Sequence, residues 1–213
     1  MPRATLHNRQ DSLERALHLF WQKGFHATSL KDLERTLDMR PGSIYAAFGS
    51  KDALFQEALE RYARLGLVEL ERTLAEYDSP LAGLAAYLRK LGCLRDQELP
   101  SRACMLVKSL LELGEREQAA LGKAEALLEA MEAGFVEQFR AAKDAGELEP
   151  SADPVRLGRR LQAEVMGLRA YAQREVDSQA VHALADDMAR SIEARACWTT
   201  ATSACSGTLS KST

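Results

Sequence analysis

Residues 28–51 read TSLKDLERTLDMRPGSIYAAFGSK. The stretch predicts two short helices and the start of a third. Ser29 can cap the first helix, and Asp32 puts a carboxylate in its first turn, where the backbone dipole favours negative charge. Leu30, Leu33 and Leu37 fall at i, i+3 and i+7, which makes one face apolar. Asp38 and Met39 cannot both continue that face, and Arg40-Pro41-Gly42 breaks the backbone. Pro41 suits the first position of a new helix, where a missing N–H costs nothing. This second helix is about two turns long, with Ile44 and Phe48 on its buried side. Gly49 then ends it and Ser50 caps the next helix. A helix, a tight turn and a short second helix form a helix-turn-helix unit, whose second helix enters the DNA major groove.

Outward from this unit the pattern continues as F-x-x-T-S-L-x-x-L from Phe25 and P-G-S-I-Y-x-x-F-x-S-K-x-x-L-F from Pro41. Over residues 9–60 this resembles the DNA-binding half of the TetR family of one-component repressors. The remainder resembles the family only in length and helical character. The resemblance implies an all-α fold, with an N-terminal helix-turn-helix domain over residues 1–52 and an effector-binding and dimerisation domain over 53–196. The composition of residues 197–213 reads as a disordered tail. It also implies a homodimer that binds palindromic double-stranded DNA and is released by an effector.

Composition bounds the alternatives. The chain has 213 residues, of which 46% are hydrophobic, enough for a substantial core. No apolar run reaches the length of a bilayer-spanning helix, and none follows the N-terminus as a signal peptide would, so a cytoplasmic protein with no membrane partner is expected. Cysteines stand at 93, 104, 197 and 205 without C-x-x-C spacing, and histidines at 7, 18, 26 and 182 without metal-ligand spacing. No disulfide framework, metal site or cofactor is expected. The chain has neither a Gly-rich phosphate loop nor a nucleophile elbow, which argues against an enzyme. The net charge is −3, but residues 1–52 carry eight Lys/Arg against six Asp/Glu, so the basic excess sits with the motif. The excess is slight, so phosphate attraction must come from a few placed groups and helix N-termini.

Along the chain, residues 1–8 read as a loose arm and Arg9 to Lys23 as a bracing helix, with Leu13, Ala16, Leu17 and Phe20 inward and Gly24 at its end. Lys51 to Tyr77 reads as one long helix of ~38 Å, with Leu65 and Tyr77 among its apolar positions. Further helices are expected from Pro80 to Arg95, Arg102 to Leu113, Glu115 or Arg116 to Ala145, Pro154 to Glu175 and Ser178 to Arg195. Gly158, Ala163, Gly167 and Ala170 keep part of the first of the last two helices slim. The resemblance implies that this last pair forms a four-helix dimer interface. From Cys197 the chain turns to Ser, Thr and Ala without period.

The candidate DNA contacts, by resemblance and by position on the two helices, are Thr28, Ser29, Lys31, Arg40, Gly42, Ser43, Tyr45 and Lys51. Thr28, Ser29, Lys31 and Lys51 are expected on phosphate. Arg40 is long enough to pair bidentately with a guanine edge. Gly42 lets the backbone approach the duplex, and Tyr45 touches phosphate or a thymine methyl. The chain departs from the family pattern in two places. Arg40 stands where a serine cap is common, and Ala46 and Ala47 stand where bulkier polar residues are common. The two alanines keep a second reading open, a helical adaptor that has lost sequence-specific DNA binding.

In the second half, Cys104 opens the apolar segment C-M-L-V-K. A thiol in the first turn of a helix, beside Arg102, is activated as thiolate. The C-x-x-V-K segment, followed by an acidic residue, is similar to that of electrophile- and oxidant-sensing repressors of the family. Cys93 is the candidate resolving thiol. A buried free cysteine acting as a small hydrophobe is the competing reading. The alternative effector is a small apolar molecule, for which Tyr62, Tyr87, Met105, Met131, Phe135, Phe139, Met166 and Tyr171 are candidate lining residues.

Overall fold

The computed structural model describes residues 2–196, with side chains from residue 9 onward. The expected disordered tail at 197–213, with Cys197, Trp198 and Cys205, lies outside the described residues, as does the Arg3 side chain. Nine α-helices occur among the described residues, and no strand does: α1 (Pro2–Lys23), α2 (Leu30–Leu37), α3 (Pro41–Phe48), α4 (Lys51–Leu74), α5 (Pro80–Gly92), α6 (Met105–Glu112), α7 (Gln118–Asp144), α8 (Pro154–Gln173) and α9 (Ser178–Ala196). The all-α class is as expected. No described helix is long and apolar enough to cross a membrane.

The helices fall into two compact units. The first comprises Met1–Val68 and Glu98–Met131; the second comprises Glu69–Gln97 and the described residues from Glu132 onward. In the first, α1 presents Leu13, Ala16, Leu17 and Phe20 to the core, at the predicted spacing. Phe20 meets Phe55 edge-on at 4.9 Å, and Phe25 meets Phe55 at 5.0 Å. Leu33, Ile44, Leu54 and Leu59 complete a core in which each is buried.

The second unit packs α5, α8 and α9 with the last turns of α4 and the later part of α7. Asp153 caps α8 by accepting from Val155 and Arg156 N–H, with Pro154 at the first helical position. Gly158 is needed where α8 meets α7. A Cβ there would lie 2.5 Å from the Val136 side chain and 2.9 Å from its backbone nitrogen. Ala163, Gly167 and Ala170 are instead exposed on the outer side of α8.

Several expectations are corrected. Residues 2–8 are not a loose arm but the first turns of α1, because Pro2 starts a helix well and Arg, Ala and Leu continue it. The long helix ends at Leu74, where tighter turns from Thr73 and Leu74 carbonyls take over, so Tyr77 lies outside it. Leu65 and Tyr77 are exposed rather than inward. Leu111 points outward on α6 and is 85% exposed. Cys93 begins a 3-10 turn, Cys93–Asp96, and is exposed.

Candidate nucleic-acid interface

Helix α2 is held at its start by a reciprocal cap. Ser29 Oγ accepts from Asp32 N–H at 3.1 Å, and Asp32 Oδ2 accepts from Ser29 N–H at 3.0 Å. Lys23 and Arg35 both pair with the Asp32 carboxylate at 2.9 Å. The hydrogen bond from Lys23, with those from Ser29, holds this carboxyl well below the usual range. The sign follows: the cap's contribution is intact at every pH above the ordinary carboxylate range and is lost only under strong acid. Asp38, in left-handed conformation, ends α2 two residues earlier than the Arg40-Pro41 break, an arrangement Asp tolerates.

Helix α3 buries Ile44 and Phe48 and leaves Gly42, Ser43, Tyr45 and Ala46 exposed. Arg40 occupies the N-cap without making a side-chain cap bond, so its exposed guanidinium is not used to close the helix. A Cβ at Gly42 would meet nothing within 4 Å, so packing within the chain does not account for a glycine there. Gly49 ends α3 at φ 80°, a conformation L side chains rarely adopt. Ser50 Oγ then accepts from Ala53 N–H at 2.9 Å and starts α4.

Two predicted contacts are corrected. Thr28 is fully buried, and its hydroxyl donates to the Gly24 carbonyl at 2.6 Å. It holds the α1–α2 turn and has no hydroxyl to offer a phosphate. The Lys51 ammonium lies 4.3 Å from the Phe25 ring centroid rather than reaching outward, and burial lowers its pKa, with Glu112 and Glu117 opposing.

Sequence reasoning missed the bracing of this head. Arg9 stacks over Phe48 at 4.6 Å, donates to the Ala47 carbonyl at 3.1 Å and pairs with Glu57 at 2.7 Å. One side chain thus ties α1 to the end of α3 and to α4. From the other side, α6 clamps the C-terminal end of α1. Lys108 Nζ donates to the Trp21 carbonyl at 2.7 Å and the Gln22 carbonyl at 3.2 Å, in the last turn of α1. Glu112 accepts from His26 N–H at 2.6 Å and Phe25 N–H at 3.1 Å. Trp21 Nε1 donates to the Ala103 carbonyl at 2.8 Å. Burial pushes the Lys108 ammonium below the usual lysine range, and Glu112 opposes that shift. The sequence signal was a Lys and a Glu four apart on α6, but nothing in it named the partners.

Cys104 is the N-cap of α6, not part of its first turn, and is buried. The position expected in the first turn is corrected by one residue, since the chain turns into the helix only at Met105. Cys104 lies in the first compact unit and Cys93 in the second. The candidate effector-lining residues are likewise divided. Tyr62, Met105 and Met131 belong to the first unit; Tyr87, Phe135, Phe139, Met166 and Tyr171 belong to the second. Tyr62 pairs with Trp21 at 5.0 Å, and Tyr87 with Phe135 at 6.2 Å. A shallow surface recess of about 10 Å³ in the second unit is lined by Phe139, Leu161 and Ile192, with Arg160 and Glu164 at its edge. The same unit brings Cys93, Asp96 and His182 together, although no local spacing announced potential metal ligands there.

The description "Bacterial regulatory proteins, tetR family" matches residues 13–58, and "Tetracyclin repressor-like, C-terminal domain" matches residues 80–188. The chain belongs to the TetR family. It is a DNA-binding transcriptional regulator of that family, with the helix-turn-helix in α2 and α3. The HTH-type transcriptional repressor ComR of Escherichia coli K12 is 27% identical over 174 residues, 80% of this chain and 82% of ComR. The repressor BdcR of the same strain is 31% identical over 102 residues, 47% of this chain and 51% of BdcR. Among solved structures, the TetR regulator CifR, a cysteine mutant complexed with 26-bp double-strand operator DNA, has TM-score 0.78 and 28% identity. That match covers 84% of this chain and 94% of CifR. TetR-family relatives are therefore similar along most of this chain, not only in its head.

Proposed function

We propose that this TetR-family protein is a homodimeric, cytoplasmic repressor, not an enzyme, that reads a palindromic operator with α3 and is released by an effector. Residues 1–52 form the reading domain and 53–196 the effector-binding and dimerisation domain. The observation that carries the reading is the exposed face of α3, on which Arg40, Gly42, Ser43 and Tyr45 have no structural duty within the chain that accounts for them.

Arg40 is a bidentate donor to guanine, and Ser43 and Tyr45 are exposed on the first turns of the helix that follows it. Ser29 and Lys31 bring the start of α2 to a phosphate, where the N–H groups of Leu30 and Lys31 have no intrahelical acceptor. Lys51 contributes through its N–H at the start of α4, its ammonium being held over Phe25. Ala46 adds a methyl surface without hydrogen-bonding capacity, so DNA shape carries part of the discrimination. The outward small residues Ala163, Gly167 and Ala170 of α8 support a close two-fold packing of α8 and α9 against a second copy.

Arg40→Ala is expected to weaken operator binding by about 1–3 kcal/mol and to relax the choice of base it faces. A binding titration against operator and random duplexes reads this. Equal losses on both duplexes would make Arg40 a phosphate contact, and no loss would remove it from the interface.

The effector reading centres on Cys104. It is buried at the start of α6, next to the Ala103 carbonyl that holds Trp21. An electrophile that alkylates its sulfur adds volume at a buried position, and α6 moves with Lys108 and Glu112 attached. The head then loses the clamp on α1, and DNA and effector lower each other's affinity by the same factor. Cys104→Ser should bind operator as the parent chain does and stay bound after treatment with a thiol-reactive electrophile. Release of the variant to the same extent would transfer the effector role to a non-covalent ligand.

A further inference from the structure

We propose that Cys93, Asp96 and His182 form a binding site for a borderline divalent metal ion of the zinc type. The inference goes beyond the DNA-binding reading, and its test does not depend on it. The donor atoms of the three side chains all lie within 4.8 Å of one another. His182 Nε2 is 2.7 Å from Asp96 Oδ2.

Local geometry explains how residues so distant in sequence converge. Cys93 and Asp96 are the first and last residues of the 3-10 turn that follows α5. With three residues per turn, side chains at i and i+3 eclipse, so the thiol and the carboxyl project to one side. His182 lies in the second turn of α9, which begins at Ser178. Gly92 allows the close approach: a Cβ there would lie 2.8 Å from Ala185 Cβ and 3.4 Å from His182 Cα.

The surrounding contacts hold the three groups in place. Arg89 bridges to Asp186 at 2.8 Å and to Glu193, fixing α5 on α9. Ser178, the first residue of α9, stands beside the Asp96 carboxylate, where an outer contact can orient a ligand. Arg95, the nearest cation in the turn, is turned onto the carbonyls of Ala172 and Arg174.

The donor set selects the metal. One thiolate, one imidazole and one carboxylate suit zinc, and the sulfur and nitrogen disfavour magnesium and calcium. Zinc bonds of about 2.3 Å to sulfur and 2.0–2.2 Å to nitrogen and oxygen put ligand atoms ~3.3–3.7 Å apart around a tetrahedron. Small side-chain rotations from the observed arrangement reach that spacing. Binding releases the Cys93 proton to solvent, and the imidazole binds in its neutral form. Three protein ligands leave a fourth position for water or an anion.

The test uses the full chain in which Cys197 and Cys205 are replaced by serine, with cobalt(II) as the probe and zinc as competitor. A thiolate-to-cobalt charge-transfer band should grow to saturation at one equivalent per chain and disappear on adding zinc. Cys93→Ser should abolish the band, and His182→Gln should weaken cobalt binding by about 100-fold, the upper end of what even outer-shell changes cost. Cys104→Ser should leave it intact. Cys93 and His182 are exposed and Cys104 is buried, so a circular dichroism melt confirms that each variant folds. The proposal is overturned if no band forms, if the band survives Cys93→Ser, or if His182→Gln binds cobalt as tightly as the parent.

Discussion

Phe55→Ala is expected to destabilise the chain by about 4 kcal/mol, the cost of deleting a buried aromatic ring and leaving its cavity. Phe55 is 1% exposed and touches both Phe20 and Phe25 with its ring. Phe20 belongs to α1, Phe25 to the turn before α2, and Phe55 to the first turns of α4. Removing one ring therefore loosens all the elements that frame α2 and α3 at once. The edge-on geometry with Phe20 adds to the plain area term. Equilibrium urea denaturation followed by circular dichroism should show an earlier midpoint with little change of slope. Leu111→Ala is the matched control. Its side chain is 85% exposed, and a change within about 0.5 kcal/mol is expected. Similar losses in the two variants would contradict the assigned core.

The second large effect belongs to the clamp. Glu112→Ala removes the acceptor for two backbone N–H groups, those of Phe25 and His26. Hydrogen bonds to a charged group contribute about 1.5–3 kcal/mol each, and part-exposure of Glu112 brings the expected total to about 2 kcal/mol. The turn between α1 and α2 loses its anchor, so the loss should reach DNA binding as well as stability. Glu112→Gln keeps one acceptor oxygen and should recover part of both. Thermal unfolding and operator titration of the same variants check the prediction. A Glu112→Ala chain that melts with the parent and binds equally would remove α6 from the account of how the head is held.

The helix-turn-helix was legible because its signals are local. Ser29, Pro41, Gly49 and Ser50 each act within one turn of helix, and each sits where its chemistry predicts. Residue type alone misassigned Thr28 and Lys51. Both lie at helix starts, but Thr28 bonds back to Gly24 and Lys51 covers Phe25, choices made by tertiary neighbours. Cys104 failed the first-turn expectation by one residue, which is enough to change its backbone from helical to extended. Residues 2–8 carry little apolar periodicity, yet nothing in them breaks a helix begun at Pro2. The clamp and the Cys93–Asp96–His182 cluster were out of reach for a different reason. Lys108 and Glu112 lie more than 80 positions from the backbone groups they hold, as does His182 from Asp96, and only the packing of α6 on α1 and of α5 on α9 brings them together.

The most direct test of the DNA-reading claim is selection of bound duplexes from a random-sequence pool by the full chain, followed by sequencing. The account predicts enrichment of a palindrome, with half-sites about one helical turn apart or a multiple of it, because two α3 helices related by a two-fold must meet successive major grooves. A pool that emerges without an enriched sequence, or with an enriched site lacking two-fold symmetry, would contradict it.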